Sequence, residues 1–318
     1  MQRSPYITTC FRMTNILVIK HGALGDIILS MSAFAAIRAH FPNAHITLLT
    51  SKAYADLLRN TPFFNEVWVD IKPKPWQLHA IFALRRMLNS KPFAWVFDLQ
   101  TSQRSSSYLS LFRAPKPKFS GVNPRASHAY TDPIRHQRHA FDNLVEQLKI
   151  AAITLTEPPD LRWMQADISR FSLPTRFALL VAGGAAHRPE KRWPAAHYSA
   201  LAQQLAARNI TPVLIGTQAE ASELAHIATA CPHAINLCGQ TSIPEIAALA
   251  QQAQLAVGND TGPIHIIAAA RCPSLVLFSA ASKPEYSSPV GAHVHSLQRI
   301  NLAELSVEEV LASLPVSA

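Results

Sequence analysis

The stretch from Gln254 to Ala270, QLAVGNDTGPIHIIAAA, limits what this chain can become more than any other. Leu255, Ala256 and Val257 form a short apolar run that stops at a glycine, the pattern of a buried strand. Ile264, Ile267 and Ala268 then recur at helical spacing. Between them stands Gly258-Asn259-Asp260-Thr261-Gly262-Pro263. A strand entering a helix through a small, polar, glycine-bracketed turn leaves backbone N–H groups facing open space. The helix dipole adds positive potential there, so such a turn can hold an anion. Pro263 fits the first helical turn, where its missing N–H costs little. Asp260 and Thr261 are each suited to cap the helix. Taken together, with His265 one turn on, they read as a ligand site.

The same strand–turn–helix unit recurs along the chain. Strands are expected at Asn15–Lys20, His45–Leu49, Glu66–Asp70, Phe93–Leu99 and Phe119–Val122. Helices are expected from Ile27 to about His40, at Gln77–Leu88 and at Ala140–Ala151. The segment from Thr154 to Arg176, with three prolines and no clean period, reads as an inter-domain linker. The alternation then restarts with strands at Phe177–Ala182, Pro212–Ile215, Ala234–Leu237 and Ser274–Phe278. Between them fall helices at Pro194–Ala207, Ala219–Ala230 and Ile243–Gln251. A terminal helix begins with a capping box, Ser306 and Glu309. Strands alternating with helices predict parallel sheets covered on both faces. The expectation is an α/β chain of two Rossmann-like doubly wound domains, 13–165 and 172–318, facing a central cleft. Four polar turns that follow strands would line it: Gly22–Asp26, Gly183–Lys191, Gly216–Glu220 and Gly258–Gly262.

Composition narrows the class. Of 318 residues, 48% are hydrophobic and 15% charged, so a large core is affordable and bulk disorder is excluded. Four cysteines show neither CxxC nor metal-ligand spacing. No run approaches the ~18 apolar residues of a membrane span, and the first twelve residues lack a signal-peptide core. A cytoplasmic protein is expected. The net charge of +9 is uneven: residues 71–140 hold twelve Lys or Arg and two acids, a charge of +10 that leaves −1 for the rest. Such an excess is either a solvated basic face or a surface for an anionic substrate, an anionic membrane or nucleic acid.

Particular side chains carry chemistry. Asp26, where the turn containing Gly25 becomes a helix, is placed either as an N-cap or as a general base at the mouth of a cleft. Gly183 and Gly184 let backbone approach a ligand closely. Lys191, with Arg188 or Arg192, can neutralise a phosphate. Glu220, after the turn Gly216-Thr217-Gln218-Ala219, can hold two vicinal ribose hydroxyls or simply complement a helix start.

KHGALGD after the first strand, EKRWP early in the second half and GNDTGPIHIIAAA near the end together resemble the ADP-heptose:lipopolysaccharide heptosyltransferases, glycosyltransferase family 9. The resemblance runs from about Asn15 over nearly the whole chain. It implies a GT-B fold, with the acceptor on the N-terminal domain and the sugar nucleotide on the C-terminal one, and an inverting single displacement. It further implies Asp26 as the base and Lys191 on the donor phosphates. Glu220 would lie on the adenosine ribose and Thr241 near the adenine. Asp260, Thr261 and Gly262 would hold the diphosphate and sugar, with His265 as that turn's histidine. Where relatives often carry hydroxyl residues before the lysine, this chain has Ala185, Ala186 and His187, so backbone N–H groups or His187 would take that contact.

A diphosphate leaving group makes stabilisation of growing negative charge the main electrostatic task. Helix N-termini and Lys191 can meet it without a metal, and no DxD-type pair is present to hold one. No cofactor is expected. The expected partners are an ADP-sugar donor, an anionic lipopolysaccharide core near Lys72 and Lys74, and the inner face of the inner membrane as a peripheral contact. A family member with another donor or acceptor is the nearer alternative. A non-catalytic nucleotide-sugar binder is the other, and the intact Asp26 argues against it. Nucleic acid is not expected, because no aromatic-interleaved basic strand or recognition helix is evident.

Overall fold

The computed structural model describes residues 14–184 and 188–315. The chain packs as two compact units. The first comprises the described residues up to His21, Phe34–Thr131 and Gln147–Thr154; the second comprises Gly22–Ala33, Asp132–Glu146 and Leu155 onward.

The first unit is built on β1 (Asn15–Ile19), β2 (His45–Thr50), β3 (Glu66–Val69), β4 (Trp95–Asp98), β5 (Lys118–Gly121) and β6 (His128–Ala129). All pairs are parallel, in the order β3-β2-β1-β4-β5-β6. Ile16 to Ile19 are wholly buried, as expected of a parallel strand covered on both faces. Leu17, Ile19 and Leu49 share a core with Leu84, Leu88 and Phe119. Beneath it runs a polar network. The Tyr108 hydroxyl donates to Asp70 Oδ2 at 2.7 Å, and His21 Nε2 lies 2.7 Å from the same oxygen. Asp98, wholly buried, accepts from the N–H groups of Gln100 and Thr101. Burial pushes its carboxyl up to about 6 against those hydrogen bonds.

The second unit repeats the design with β7 (Phe177–Val181), β8 (Thr211–Leu214), β9 (Ile235–Asn236), β10 (Leu255–Asn259), β11 (Ser274–Phe278) and β12 (Val294–Gln298). Their order, β9-β8-β7-β10-β11-β12, is again parallel and again the doubly wound order.

The helices are α1 (Leu24–Leu29), α2 (Met31–His40), α3 (Lys52–Arg59), α4 (Leu78–Leu88), α5 (Gln103–Ser107) and α6 (Ala140–Ile150), then α7 (Ala195–Ala207), α8 (Ala221–Ala230), α9 (Ile243–Gln252), α10 (Gly262–Ala269), α11 (Pro284–Ser287) and α12 (Val307–Ala312). The expected α/β class, with two Rossmann-ordered doubly wound sheets, is the observed one.

Several elements depart from expectation. The first helix is broken at Ser30, whose N–H reaches back to the carbonyls of Asp26 and Ile27 while its hydroxyl donates to Asp26 O at 2.7 Å. A serine that satisfies carbonyls locally competes with continuation of the ladder. The strands β6 and β12 were not foreseen. The first is two residues long, and the second is an edge strand with half-buried and exposed positions. The segment read as a linker is bound into the second unit. Leu161 N donates to Ala269 O, Gln251 Nε2 donates to Met164 O, and Leu161, Met164 and Phe171 are buried. The terminal capping box forms as read, with Ser306 Oγ accepting from Glu309 N and Glu309 Oε2 accepting from Ser306 N.

Candidate functional site

In a parallel sheet all strands point one way, so the loops after neighbouring strands gather at their carboxyl ends. In the second unit β8, β7 and β10 are neighbours. The loops that follow them, with Thr241 and Ile246 at the start of α9, enclose a cavity of about 350 Å³. Gly183, Gly184, Glu220 and Thr261 line it, and its floor is apolar, with Val181, Ile215 and Ile246.

The loops are held by buried polar contacts. Asn259, the last residue of β10 and wholly buried, accepts from Trp193 N at 3.0 Å and from the Tyr198 hydroxyl at 3.1 Å. Its amide donates to the carbonyls of Ala182 and Gly183. One side chain thus satisfies four partners from the neighbouring loop and from α7. Arg192 pairs with Glu223 and donates to Gly184 O at 2.6 Å, so it fastens the glycine pair instead of standing free for a phosphate. Glu220 accepts from Thr217 N and Thr217 Oγ1 at 2.8 and 2.6 Å. A Cβ on Gly183 would meet Glu220 Cγ at 2.6 Å, which explains a glycine at that position.

Lys191 Nζ donates to Asp260 Oδ2 at 2.9 Å, and the Ser282 hydroxyl donates to the same oxygen at 2.8 Å. Neither Lys191 nor Asp260 is more than one-sixth exposed, so the pair sits where charge is weakly screened. Asp260 is therefore not the helix cap. Thr261 takes the N-cap position of α10 but makes no capping bond, and its Oγ1 is buried without a partner. An unpartnered buried hydroxyl at a helix start is costly unless a ligand completes it.

Asp26 is also not an N-cap. It is the third residue of α1, and its Oδ2 accepts from Ala23 N at 3.1 Å. Its neighbour Gly25 packs on the His265 ring. In turn Gly262 packs on Leu24, where a Cβ would stand 2.9 Å from Leu24 Cδ2. The two turns thus come into van der Waals contact through a glycine from each. His265 is buried, and its Nδ1 has no partner. Burial pushes the imidazole down to about 4, against the upward pull of Asp260 and Asp26, so the ring is neutral near pH 7. Nearby, His139 Nδ1 accepts from Phe141 N at 3.1 Å, and its Nε2 lies 3.1 Å from Ser288 O.

Of the residues singled out in the sequence, Gly184, Glu220, Thr241 and Thr261 line the cavity. Lys191 and Asp260 are paired beside Thr261, and Gly25, Gly262 and His265 form the packed contact next to Asp26. His187 lies outside the described residues. Lys72 and Lys74 belong to the first unit, in the loop after β3. Lys72 N donates to Asp70 Oδ1, and Lys74 Nζ lies 5.2 Å over the Trp76 ring. The scaffold roles of Asn259, Ser282 and Thr217 were not evident in the sequence. The Asn259 and Thr217 positions, each inside a polar turn after a strand, carried a signal, whereas Ser282 did not. Among the described residues no group of three or more His, Cys, Asp or Glu is arranged to hold a metal ion.

The sequence matches the family model Glycosyltransferase family 9 (heptosyltransferase) over residues 81–311. It is 26% identical over 299 residues to lipopolysaccharide heptosyltransferase 2 of Escherichia coli strain K12, covering 86% of this chain and 85% of that one. The fold is similar to a glycosyl transferase family 9 structure from Veillonella parvula, with a TM-score of 0.80, 22% identity and coverage of 94% and 95% of the two chains. It is also similar to the ADP-heptose LPS heptosyltransferase II structure from E. coli, with a TM-score of 0.77, 20% identity and coverage of 94% and 97%.

Proposed function

The chain belongs to glycosyltransferase family 9, and from that premise we propose that this glycosyltransferase moves heptose from ADP-heptose to the inner core of lipopolysaccharide with inversion. The observation that carries the proposal is the cavity at the carboxyl ends of β7, β8 and β10, with an unpartnered Thr261 hydroxyl and the Lys191–Asp260 pair at its edge. Its apolar floor and flanking carboxylate suit a nucleoside, and its helix start and lysine suit a diphosphate.

In this reading Thr241 sits by the adenine and Glu220 accepts from the ribose hydroxyls. Lys191, Thr261 and the first N–H groups of α10 take up the charge of the diphosphate as it leaves. Asp260 and His265 face the sugar, and Lys72 and Lys74 meet the anionic core. Asp26 accepts the proton of the acceptor hydroxyl while that oxygen attacks the anomeric carbon. The bond from that carbon to ADP breaks with its electron pair on the departing phosphate. The enzyme works from the cytoplasmic side, and its acceptor is anchored in a membrane.

Calorimetry with ADP, UDP and GDP tests the donor. Selective binding of ADP, weakened by Lys191→Ala, is the expected result. Preference for UDP would remove the ADP-sugar. ADP-heptose turnover on heptose-free core, absent with other ADP-sugars, tests the rest.

A further inference from the structure

We infer that the loop after β3 and the outer face of α4 form a docking surface for an anionic phospholipid bilayer. Seven large apolar side chains are exposed among the described residues, and four of them fall between residues 71 and 82: Ile71 at 50%, Trp76 at 73%, Leu78 at 64% and Phe82 at 63%. A soluble fold does not ordinarily gather so many in one place without a partner. Leu84 and Leu88 turn into the core, whereas Leu78 and Phe82, four residues apart, share the solvent face. Arg85 and Arg86 continue that face toward the helix end. Lys74 lies over the exposed Trp76 ring. Phe82 and Arg86 flank a groove of about 530 Å³.

The charge of the segment selects the occupant. From Ile71 to Lys91 there are five Lys or Arg and no acidic residue. Apolar and aromatic tips set among cations match the boundary of an anionic bilayer, where rings enter the headgroup region and the cations remain at phosphate level. A second copy of the chain is a poor occupant, because a two-fold contact would set two copies of a segment with five cations and no acid against each other. This surface deepens the membrane encounter in the function proposed above. Its test uses no sugar substrate, so either can fail alone.

The full chain is sedimented with vesicles of phosphatidylethanolamine, with and without phosphatidylglycerol. Binding that requires phosphatidylglycerol and weakens with salt is expected. Trp76→Ser with Phe82→Ser should lower it at least tenfold. Arg85→Gln with Arg86→Gln should lower it by about fivefold per arginine. Both pairs lie at exposed positions of the first unit, and an unchanged far-UV circular dichroism spectrum and urea unfolding midpoint report that the chain is still folded. Equal binding to neutral vesicles, no effect of either pair, or binding only when lipopolysaccharide is included would overturn the proposal. So would self-association in sedimentation velocity that the serine pair abolishes while vesicles remain unbound.

Discussion

Gly25 lies against the imidazole of His265 so closely that a Cβ on the glycine would stand 3.0 Å from both Cδ2 and Nε2 of the ring. The glycine precedes Asp26, and the histidine follows the Asp260–Gly262 turn by one helical turn. A contact this tight ties the placement of one carboxylate to the seating of the other turn. Gly25→Ala should therefore destabilise the second unit by about 1–3 kcal/mol and lower turnover through the displaced Asp26. Denaturant unfolding and kinetics on Gly25→Ala, His265→Ala and the double variant check this. Simple additivity of the two single effects would show that the contact does not couple them.

Asp26→Asn keeps the size of the side chain and removes the carboxylate that the proposed reaction uses as its base. Turnover should fall by roughly 10²–10⁴, while ADP affinity stays within about twofold, because the group acts only on the acceptor proton. Steady-state kinetics beside calorimetry separates the two effects.

Gly183→Ala forces a methyl group into Glu220, whose Cγ would lie 2.6 Å away. Glu220 then loses its place against Thr217 and the cavity wall. Adenosine and ADP affinity should both fall about tenfold, whereas inorganic pyrophosphate binding is little changed. Equal losses for all three ligands would place the damage elsewhere in the loop.

Lys191→Ala leaves Asp260 largely buried with Ser282 as its remaining side-chain donor. A cost of about 1–3 kcal/mol in stability is expected, together with at least a tenfold loss of ADP affinity. Asp260→Asn instead removes a negative charge from the phosphate side, so ADP should bind as tightly or more tightly while turnover drops. Titration calorimetry on the two variants shows whether their effects on ADP have opposite signs.

The His265 imidazole is held near 4 by burial, below its ordinary value of 6.5. Between those values the folded ring stays neutral while the unfolded one binds a proton, so stability falls as pH drops from 6.5 toward 4, by about 3 kcal/mol in all. Asp98 in the first unit runs the other way. Its carboxyl is pushed from 3.8 up to about 6, so stability rises as pH falls through that window by a similar amount. Unfolding in urea at several pH values between about 4 and 7 should show His265→Asn losing the acid penalty and Asp98→Asn losing the acid gain.

Much of the second unit's site was legible along the chain. Gly183, Lys191, Glu220 and Asp260 all sit in turns bounded by clear strand and helix patterns, and a parallel sheet must bring such turns to one end. The edge strand β12 was not legible, because Val294–Gln298 has neither a continuous apolar run nor a sharp alternation. The break at Ser30 was hidden because apolar spacing continues across it, and the Ser30 hydroxyl bonding back to Asp26 O is visible only in the structure.

The sequence by itself determined the doubly wound class, the alternation of the main strands and helices and the turns that carry the polar groups. Those follow from periodicity and from the backbone preferences of glycine and proline, which are local. Which polar groups are spent on scaffold and which remain for a ligand was decided only by tertiary structure. Arg192, an apparent phosphate ligand, is engaged by Glu223 and Gly184, whereas Thr261, an apparent cap, is left without a partner. Asn259 emerges as the clasp between two loops. Hydrogen-bond partners distant in sequence settle these roles, and spacing along the chain carries no record of them.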